Sequence, residues 1–150
     1  MVVDSSALPE QVVGDVLSSA FDSAGQRCSA LRILCLQDDV ADRMLKMLKG
    51  AMAELEVGDP RQLSVDVGPV ITAEARDAIK THIETMWGRG FNVTQTPLGE
   101  AAQRGTFVAP TLIEVSKAAD VEREVFGPVL HVLRYKRGAL DELILSLIHI

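Results

Sequence analysis

The sequence has few aromatic residues, few cysteines and no excess of positive charge. Only 4% of its 150 residues are aromatic although 47% are apolar, so we expect a core of aliphatic side chains. The formal net charge is -6, and no basic stripe could neutralise a phosphate backbone, which argues against a nucleic acid partner for this segment. No apolar run approaches the length of a membrane span, and no secretory leader is recognisable, so we expect a cytoplasmic location.

The two cysteines, Cys28 and Cys35, fit neither a disulfide framework nor a metal site. Cys35 lies in an apolar run without candidate ligands nearby, and we therefore predict a reduced protein without a metal site. Cys28 follows a glycine turn and stands beside the guanidinium of Arg27, a setting that favours the thiolate and a nucleophilic role. An isolated cysteine is more often an inert side chain, so the surrounding sequence has to decide between the two interpretations.

The hydrophobic spacing predicts alternating helices and strands. Amphipathic helices are predicted at residues 8–20, 38–55 and 72–87, the last one capped by Thr72. Strands are predicted at residues 31–36, 91–95, 106–109, 112–115 and 129–135. This alternation indicates an α/β fold with a largely parallel sheet flanked by helices.

The last six residues, 145–150, differ in character from the sequence before them. They could end a helix that begins at Leu140, but the same hexapeptide is encoded by one reading frame of a common sequencing-library adapter. We therefore predict that residues 145–150 are a non-native tail and exclude them from the functional argument.

Four motifs occur in the order that is typical of one enzyme family. The run at residues 21–28, which contains Gly-Gln-Arg-Cys, resembles the active-site cysteine segment of the aldehyde dehydrogenase superfamily. Residues 57–60 with 68–71 resemble its glycine-proline loop pair, residues 105–112 its Gly-x-Phe-x-x-Pro-Thr strand, and residues 124–129 its Glu-x-Phe-Gly-Pro motif. The resemblance implies that residues 1–144 are part of an aldehyde dehydrogenase catalytic domain.

The resemblance also implies roles for individual residues. Cys28 would be the nucleophile, forming a thiohemiacetal and then a thioester with the substrate. Glu124 would accept hydrogen bonds from the nicotinamide ribose of NAD, and Phe126 would pack near the nicotinamide. Without the family, Glu124 would be a solvated carboxylate before a turn and Phe126 a core anchor.

The amino-acid sequence of residues 3–10 and 28–32 is more similar to one branch of the family. This branch is the L-glutamate γ-semialdehyde dehydrogenase domain of bifunctional bacterial enzymes of proline catabolism. It implies that Ser29 helps to hold the substrate carboxylate, although Ser29 taken alone could simply satisfy a loop amide. It also implies that the parent chain carries a proline dehydrogenase domain with FAD and forms a homo-oligomer. The parent protein could associate peripherally with a membrane.

Much of the family's machinery is expected outside this sequence. The general-base glutamate, the oxyanion asparagine and most of the dinucleotide-binding domain should precede it, and the loop that grips the substrate carboxylate and the oligomerisation strand should follow it. We therefore expect the chain to be inactive alone. Two alternatives stay open: an aldehyde dehydrogenase with another substrate, and a non-catalytic α/β module that only mediates association.

The remaining candidate side chains are interpreted as structural. Neither His82 nor His131 has an Asp or Glu at a sequence spacing typical of a catalytic pair, so we expect structural or surface roles for both. Cys35 and Trp87 are interpreted as packing residues.

Overall fold

The computed structural model describes residues 1–148. Its helices are α1 (Pro9–Phe21), α2 (Asp38–Ala53), α3 (Ala73–Gly88) and α4 (Leu140–Ile148). Its strands are β1 (Val2–Val3), β2 (Ile33–Gln37), β3 (Asn92–Gln95), β4 (Thr111–Val115) and β5 (Val129–Tyr135). The predicted α/β class and the predicted cap of α3 are confirmed: the Thr72 hydroxyl oxygen accepts a hydrogen bond of 3.2 Å from the Ala75 amide.

The strands form one sheet in the order β1-β2-β5-β4-β3. The pairs β1–β2, β2–β5 and β5–β4 are parallel, and only the pairing of β3 with β4 is antiparallel. In the central register Ile33 lies opposite His131, and Thr111 lies opposite Val129. The prediction of a largely parallel sheet is therefore confirmed.

The core is aliphatic, as the composition predicts. Consecutive rather than alternate residues are buried in β2 and β5, which is typical of parallel strands that are covered on both faces. The helix α2 contributes side chains at helical spacing, including Met44, Leu48 and Met52. Among residues 1–148, no helix is both long enough and apolar enough to cross a membrane.

Two details of the sequence-based prediction are wrong. Residues 106–109 form no strand, because Thr106 instead pairs with a loop: its carbonyl accepts from the Val70 amide (2.9 Å) and its hydroxyl donates to the Val70 carbonyl (2.5 Å). Trp87 does not pack in the core. It is 73% exposed, because the buried face of α3 passes through Ile79, Ile83 and Met86.

The C-terminal helix includes part of the suspected tail. Residues 145–148 continue α4, in which Leu143 is the buried residue, whereas Leu145 and Ile148 are exposed. His149 and Ile150 lie outside the described residues. The non-native origin of residues 145–150 stays a prediction.

Candidate active site

Three of the sequence motifs come directly before neighbouring parallel strands. Residues 25–28 precede β2, residues 124–128 precede β5, and residues 105–110 precede β4. The strand β5 lies between β2 and β4. Because the amino ends of parallel strands lie at the same edge of a sheet, the topology collects the three motifs there.

The segment of residues 22–30, called the Cys28 loop below, presents the thiol on a turn. After α1, three consecutive residues adopt the left-handed conformation: Ser23, Ala24 and Gly25, with φ of 57°, 52° and 64°. The Ala30 amide then donates to the Arg27 carbonyl (3.1 Å) and closes a turn that has Cys28 and Ser29 at its centre. Both central residues are exposed. The predicted left-handed Gly25 is confirmed, but the left-handed stretch is longer than the sequence indicates.

Gly25 lies directly against the turn of residues 124–128, called the cofactor turn below. A Cβ on Gly25 would overlap the Gly127 carbonyl oxygen and would lie 2.8 Å from the Ala20 carbonyl oxygen. A Cβ on Gly127 would in turn overlap the side chain of Ile79 on α3. Close backbone approach therefore requires glycine at position 25 and joins the Cys28 loop to the cofactor turn, whereas Gly127 borders the end of the flexible Ile79 side chain.

Gln26 connects the Cys28 loop to the glycine-proline loop. Its side-chain oxygen accepts from the Ile71 amide (2.8 Å), and its side-chain nitrogen lies 3.5 Å from the Pro69 carbonyl oxygen. The Gly-Gln pair of the motif thus has a physical explanation, because Gly25 allows one contact and Gln26 makes the other.

Arg32 is the functional candidate that the sequence analysis did not single out. Its guanidinium donates to three backbone carbonyls: Nη1 to Gly25 (2.6 Å) and to Gly127 (3.3 Å), and Nη2 to Arg27 (3.2 Å). The Arg32 side chain is only 17% exposed. A signal was available in the sequence, since Arg32 is a charged residue directly before an otherwise apolar strand.

The same guanidinium contacts both predicted cofactor-binding residues. Arg32 Nε lies 3.2 Å from Glu124 Oε1, and the guanidinium carbon lies 4.9 Å from the centre of the Phe126 ring. The Glu124 side chain is 60% exposed and Phe126 is 48% exposed, so each keeps a free surface. Arg32 thus joins Glu124 and Phe126 to the backbone of the loop that carries Cys28 and Ser29, and the chemical roles of these four residues stay predictions.

Arg27 is bound to the helix that precedes the Cys28 loop. Its Nη2 donates to the Ser18 carbonyl of α1 at 2.8 Å, and its Nε is buried without a hydrogen-bond partner in the described part of the chain. The described contacts of the Arg27 guanidinium are therefore with the helix that precedes the loop.

Two histidines pair beneath the cofactor turn, a contact that the sequence analysis missed. His82 Nε2 of α3 lies 2.9 Å from His131 Nε2 of β5, so one ring donates and the other accepts. Burial and the neighbouring His82 lower the pKa of His131 to about 4, and burial lowers the pKa of His82 as well. Within residues 1–148, no group of three or more His, Cys, Asp or Glu could hold a metal ion.

The depressed pKa of His131 predicts loss of stability in acid. In the unfolded chain this histidine has an ordinary pKa of 6.5 and is protonated below that pH, whereas folded His131 stays neutral down to about pH 4. Acid therefore favours the unfolded state. The free energy of unfolding should therefore fall by about 2–3 kcal/mol more between pH 7.5 and 4.5 than in His131→Leu, which lacks the group. Urea unfolding of both proteins at the two pH values measures the difference, and equal losses would contradict the assignment.

The two cysteines should differ sharply in reactivity under native conditions. Cys28 is exposed on its turn, whereas Cys35 is 1% exposed in β2 and burial raises its pKa. We expect iodoacetamide to alkylate Cys28 on the order of 100-fold faster or more, because Cys35 reacts only after the strand opens. Tryptic peptides of residues 28–32 and 33–43 separate the two thiols in a mass spectrum, and equal rates would contradict the assignment of Cys28 as the exposed, reactive thiol.

Comparison with known sequences assigns relatives to this chain. The chain matches the sequence profile described as "Aldehyde dehydrogenase family" over residues 1–146. It is 60% identical over 149 residues to the bifunctional protein PutA of Escherichia coli (strain K12), a match that covers 96% of this chain and 11% of that protein. It is 33% identical over 137 residues to a malonate-semialdehyde dehydrogenase of Listeria monocytogenes, covering 90% of this chain and 28% of the relative. The chain thus spans only a small part of these relatives.

Solved structures contain the same fold. A mutant of Bradyrhizobium japonicum proline utilization A (PutA) superposes with a TM-score of 0.93 at 45% identity, over 99% of this chain and 15% of that one. A point mutant of Staphylococcus aureus betaine aldehyde dehydrogenase, in complex with NAD+ and with a BME-modified cysteine, superposes with a TM-score of 0.84 at 26% identity. That match covers 90% of this chain and 28% of the other.

Proposed function

Since the chain belongs to the aldehyde dehydrogenase family, we propose that it is a segment of an NAD-dependent L-glutamate γ-semialdehyde dehydrogenase of proline catabolism. The observation that carries the proposal is the contact between the Cys28 loop and the cofactor turn through Gly25, Gly127 and Arg32. The choice of substrate is supported by the 60% identity to the Escherichia coli bifunctional protein PutA and by the sequence of residues 28–32.

The proposed reaction begins at the Cys28 thiolate. The sulfur adds to the aldehyde carbon, and the carbonyl oxygen becomes an oxyanion that the Cys28 backbone N–H can stabilise. NAD supplies the acceptor for the hydride that leaves this carbon. Cys28 is then left as a thioester, and water activated by a base from outside this chain releases the carboxylic acid and the free thiol. Aldehyde, NAD+ and water thus give acid, NADH and a proton.

The cofactor turn fits the nicotinamide end of NAD. The Glu124 carboxylate is exposed beside the Cys28 loop and has acceptor positions left for ribose hydroxyl groups beyond its bond to Arg32. The half-exposed Phe126 ring offers a flat apolar surface, fixed from the other side by the Arg32 guanidinium. Here Glu124 holds the ribose and Phe126 limits how far the nicotinamide can move from the thiol.

Ser29 is proposed to contact the substrate. It stands next to Cys28 at the exposed centre of the turn. While the thiol attacks the aldehyde carbon of the substrate, the Ser29 hydroxyl can donate a hydrogen bond to another group of the substrate. The carboxylate of the semialdehyde is such a group. A simple aliphatic aldehyde lacks it and would make no use of Ser29.

The parent protein is part of the same proposal. We infer a cytoplasmic homo-oligomer whose chain also carries a proline dehydrogenase domain with FAD, in line with the word "bifunctional" in the name of the Escherichia coli relative.

A chimera tests the function directly. Residues 1–144 of this chain replace the homologous segment of the Escherichia coli bifunctional protein PutA, and NADH formation is followed with L-glutamate γ-semialdehyde and with simple aliphatic aldehydes. We expect the chimera to prefer the semialdehyde in kcat/KM. A preference for the aliphatic aldehydes would assign another substrate to the same fold, and the absence of all NADH formation from a folded chimera would favour the association module.

The isolated chain is expected to be inactive. The described residues contribute the nucleophile and the nicotinamide end of the cofactor site. NAD must be bound through its whole dinucleotide before the nicotinamide is positioned to accept a hydride. NADH formation should therefore be undetectable with the purified 150-residue chain under conditions in which the chimera turns over. Measurable NADH from the chain alone would contradict this part of the proposal.

A further inference from the structure

We propose that Arg32 is a positioning residue that aims the backbone N–H of Cys28 at the reacting oxygen and fixes the cofactor turn in register with it. This inference rests on the proposed function, because it assigns Arg32 a task within that reaction. The described contacts of the Arg32 guanidinium are with backbone carbonyls, the Glu124 carboxylate and the Phe126 ring, so its task is to position these groups.

One peptide unit connects Arg32 to the Cys28 amide. The carbonyl of Arg27 and the N–H of Cys28 belong to the same planar, trans peptide group and point in opposite directions. Arg32 Nη2 donates to that carbonyl at 3.2 Å, and the Ala30 amide donates to it at 3.1 Å. Fixing the carbonyl from two sides therefore fixes the direction of the Cys28 N–H.

The positive charge of Arg32 strengthens the Cys28 N–H as a donor. A hydrogen bond from a cationic guanidinium polarises the amide to which the Arg27 carbonyl belongs, and hydrogen bonds in a chain strengthen one another. The Cys28 N–H, at the other end of this amide, becomes a better donor to a developing oxyanion. The effect is present only while the guanidinium, the carbonyl and the N–H stay aligned.

The Arg32 guanidinium is held rigidly. Its remaining donors bind the Gly25 and Gly127 carbonyls and the Glu124 carboxylate, and its face covers the Phe126 ring. Five partners on two segments leave the guanidinium no free rotation. The orientation of the Cys28 amide is therefore tied to the position of the cofactor turn by a single side chain.

A lysine cannot replace this arrangement. An ammonium carries the same charge on a similarly long stem but lacks the planar fork that reaches several carbonyls at once. Arg32→Lys thus keeps the local charge and removes the alignment. This makes it possible to separate positioning from electrostatic activation of the thiolate.

Two reagents report on the two properties in the chimera. Acylation of Cys28 by p-nitrophenyl acetate passes through an oxyanion and needs the aimed N–H, whereas alkylation by iodoacetamide is a direct displacement and needs only the thiolate. In Arg32→Lys we expect acylation to slow by about 10-fold or more, part of the 10²–10³-fold cost of losing an oxyanion donor. Alkylation should change by less than about 3-fold, since the charge is retained. Equal losses in both reactions, or no loss in acylation, would overturn the proposal.

Arg89 provides a matched control. It also combines a carbonyl acceptor (Asp120, 3.2 Å), a carboxylate (Glu122, 3.4 Å) and an aromatic ring (Phe91, 5.1 Å), but it contacts no residue of the Cys28 loop. Arg89→Lys should leave the ratio of acylation to alkylation unchanged. A change as large as that in Arg32→Lys would show that the ratio responds to any lost arginine, and the proposal would fall.

A second variant guards against a folding defect. In Arg32→Ala, added guanidinium at a concentration that does not denature the protein should restore acylation, while methylammonium should restore nothing. Equal restoration by both cations, or by neither, would contradict a role for the planar fork.

The outcome separates the two proposals. If only the Arg32 proposal fails, the chimera forms NADH and the ratio of acylation to alkylation does not respond to Arg32. If only the proposed function fails, NADH formation is absent but the ratio still falls in Arg32→Lys.

Discussion

Replacing Cys28 by serine in the chimera is expected to abolish oxidation of the semialdehyde, with a loss in kcat of about 10⁴-fold or more. A serine hydroxyl in the same place is almost entirely protonated at neutral pH, and no described hydrogen bond joins the side chain at position 28 to a base that could accept its proton. The hydride can leave only after a nucleophile has added to the aldehyde carbon. NADH formation is the direct measurement.

The control for this substitution is the second cysteine. Cys35 is buried in β2, and Cys35→Ala should alter only stability and leave kcat within about 3-fold at a temperature where the protein is folded. NAD binding, measured by the quenching of protein fluorescence, should survive in Cys28→Ser. A Cys28→Ser chimera that turns over at a rate near the unmodified one would refute the assignment of the nucleophile.

Gly25→Ala should have the second largest effect. The new Cβ would overlap the Gly127 carbonyl oxygen and crowd the Ala20 carbonyl oxygen, and φ of 64° is itself unfavourable for alanine. The Cys28 loop and the cofactor turn must then move apart by a distance on the order of 1 Å. Since such a displacement can cost about 100-fold in a positioned reaction, we expect kcat/KM to fall by at least that factor.

Gly14→Ala is the matched control for this prediction. Gly14 lies within α1, and a Cβ there meets no atom within 4 Å. The substitution should therefore raise the free energy of unfolding by about 0.5–1 kcal/mol and leave kcat/KM unchanged. A Gly25→Ala chimera that keeps kcat/KM within a few-fold would show that the close approach of loop and turn is not needed for the reaction.

The local features of the fold were predictable from the sequence because their causes are local. Helical spacing and the Thr72 cap predict α3, and Gly25 predicts a left-handed residue before Cys28. The alternation of elements predicts a parallel sheet, and a parallel sheet in turn brings the segments before β2 and β5 to one edge. The family motifs added the prediction that Cys28, Glu124 and Phe126 belong to one site, which spacing alone would not have suggested.

The features that were missed depend on contacts between distant parts of the chain. Arg32 reaches Glu124 and Gly127, which lie 92 and 95 positions further along. The pairing of His82 with His131 requires α3 to lie over β5, which no periodicity reveals. Residues 106–109 have the composition of a strand, but Thr106 finds its partner at Val70 in a loop, and tertiary contacts override local preference.

The most direct test of the central claim is to identify the covalent intermediate. The chimera is mixed with L-glutamate γ-semialdehyde and NAD+, quenched in acid within one turnover and digested with trypsin. We predict that the peptide of residues 28–32 carries the added mass of a glutamyl thioester on Cys28, and that the peptide of residues 33–43 with Cys35 carries none. Turnover without any adduct on Cys28, or an adduct on another residue, would contradict the account.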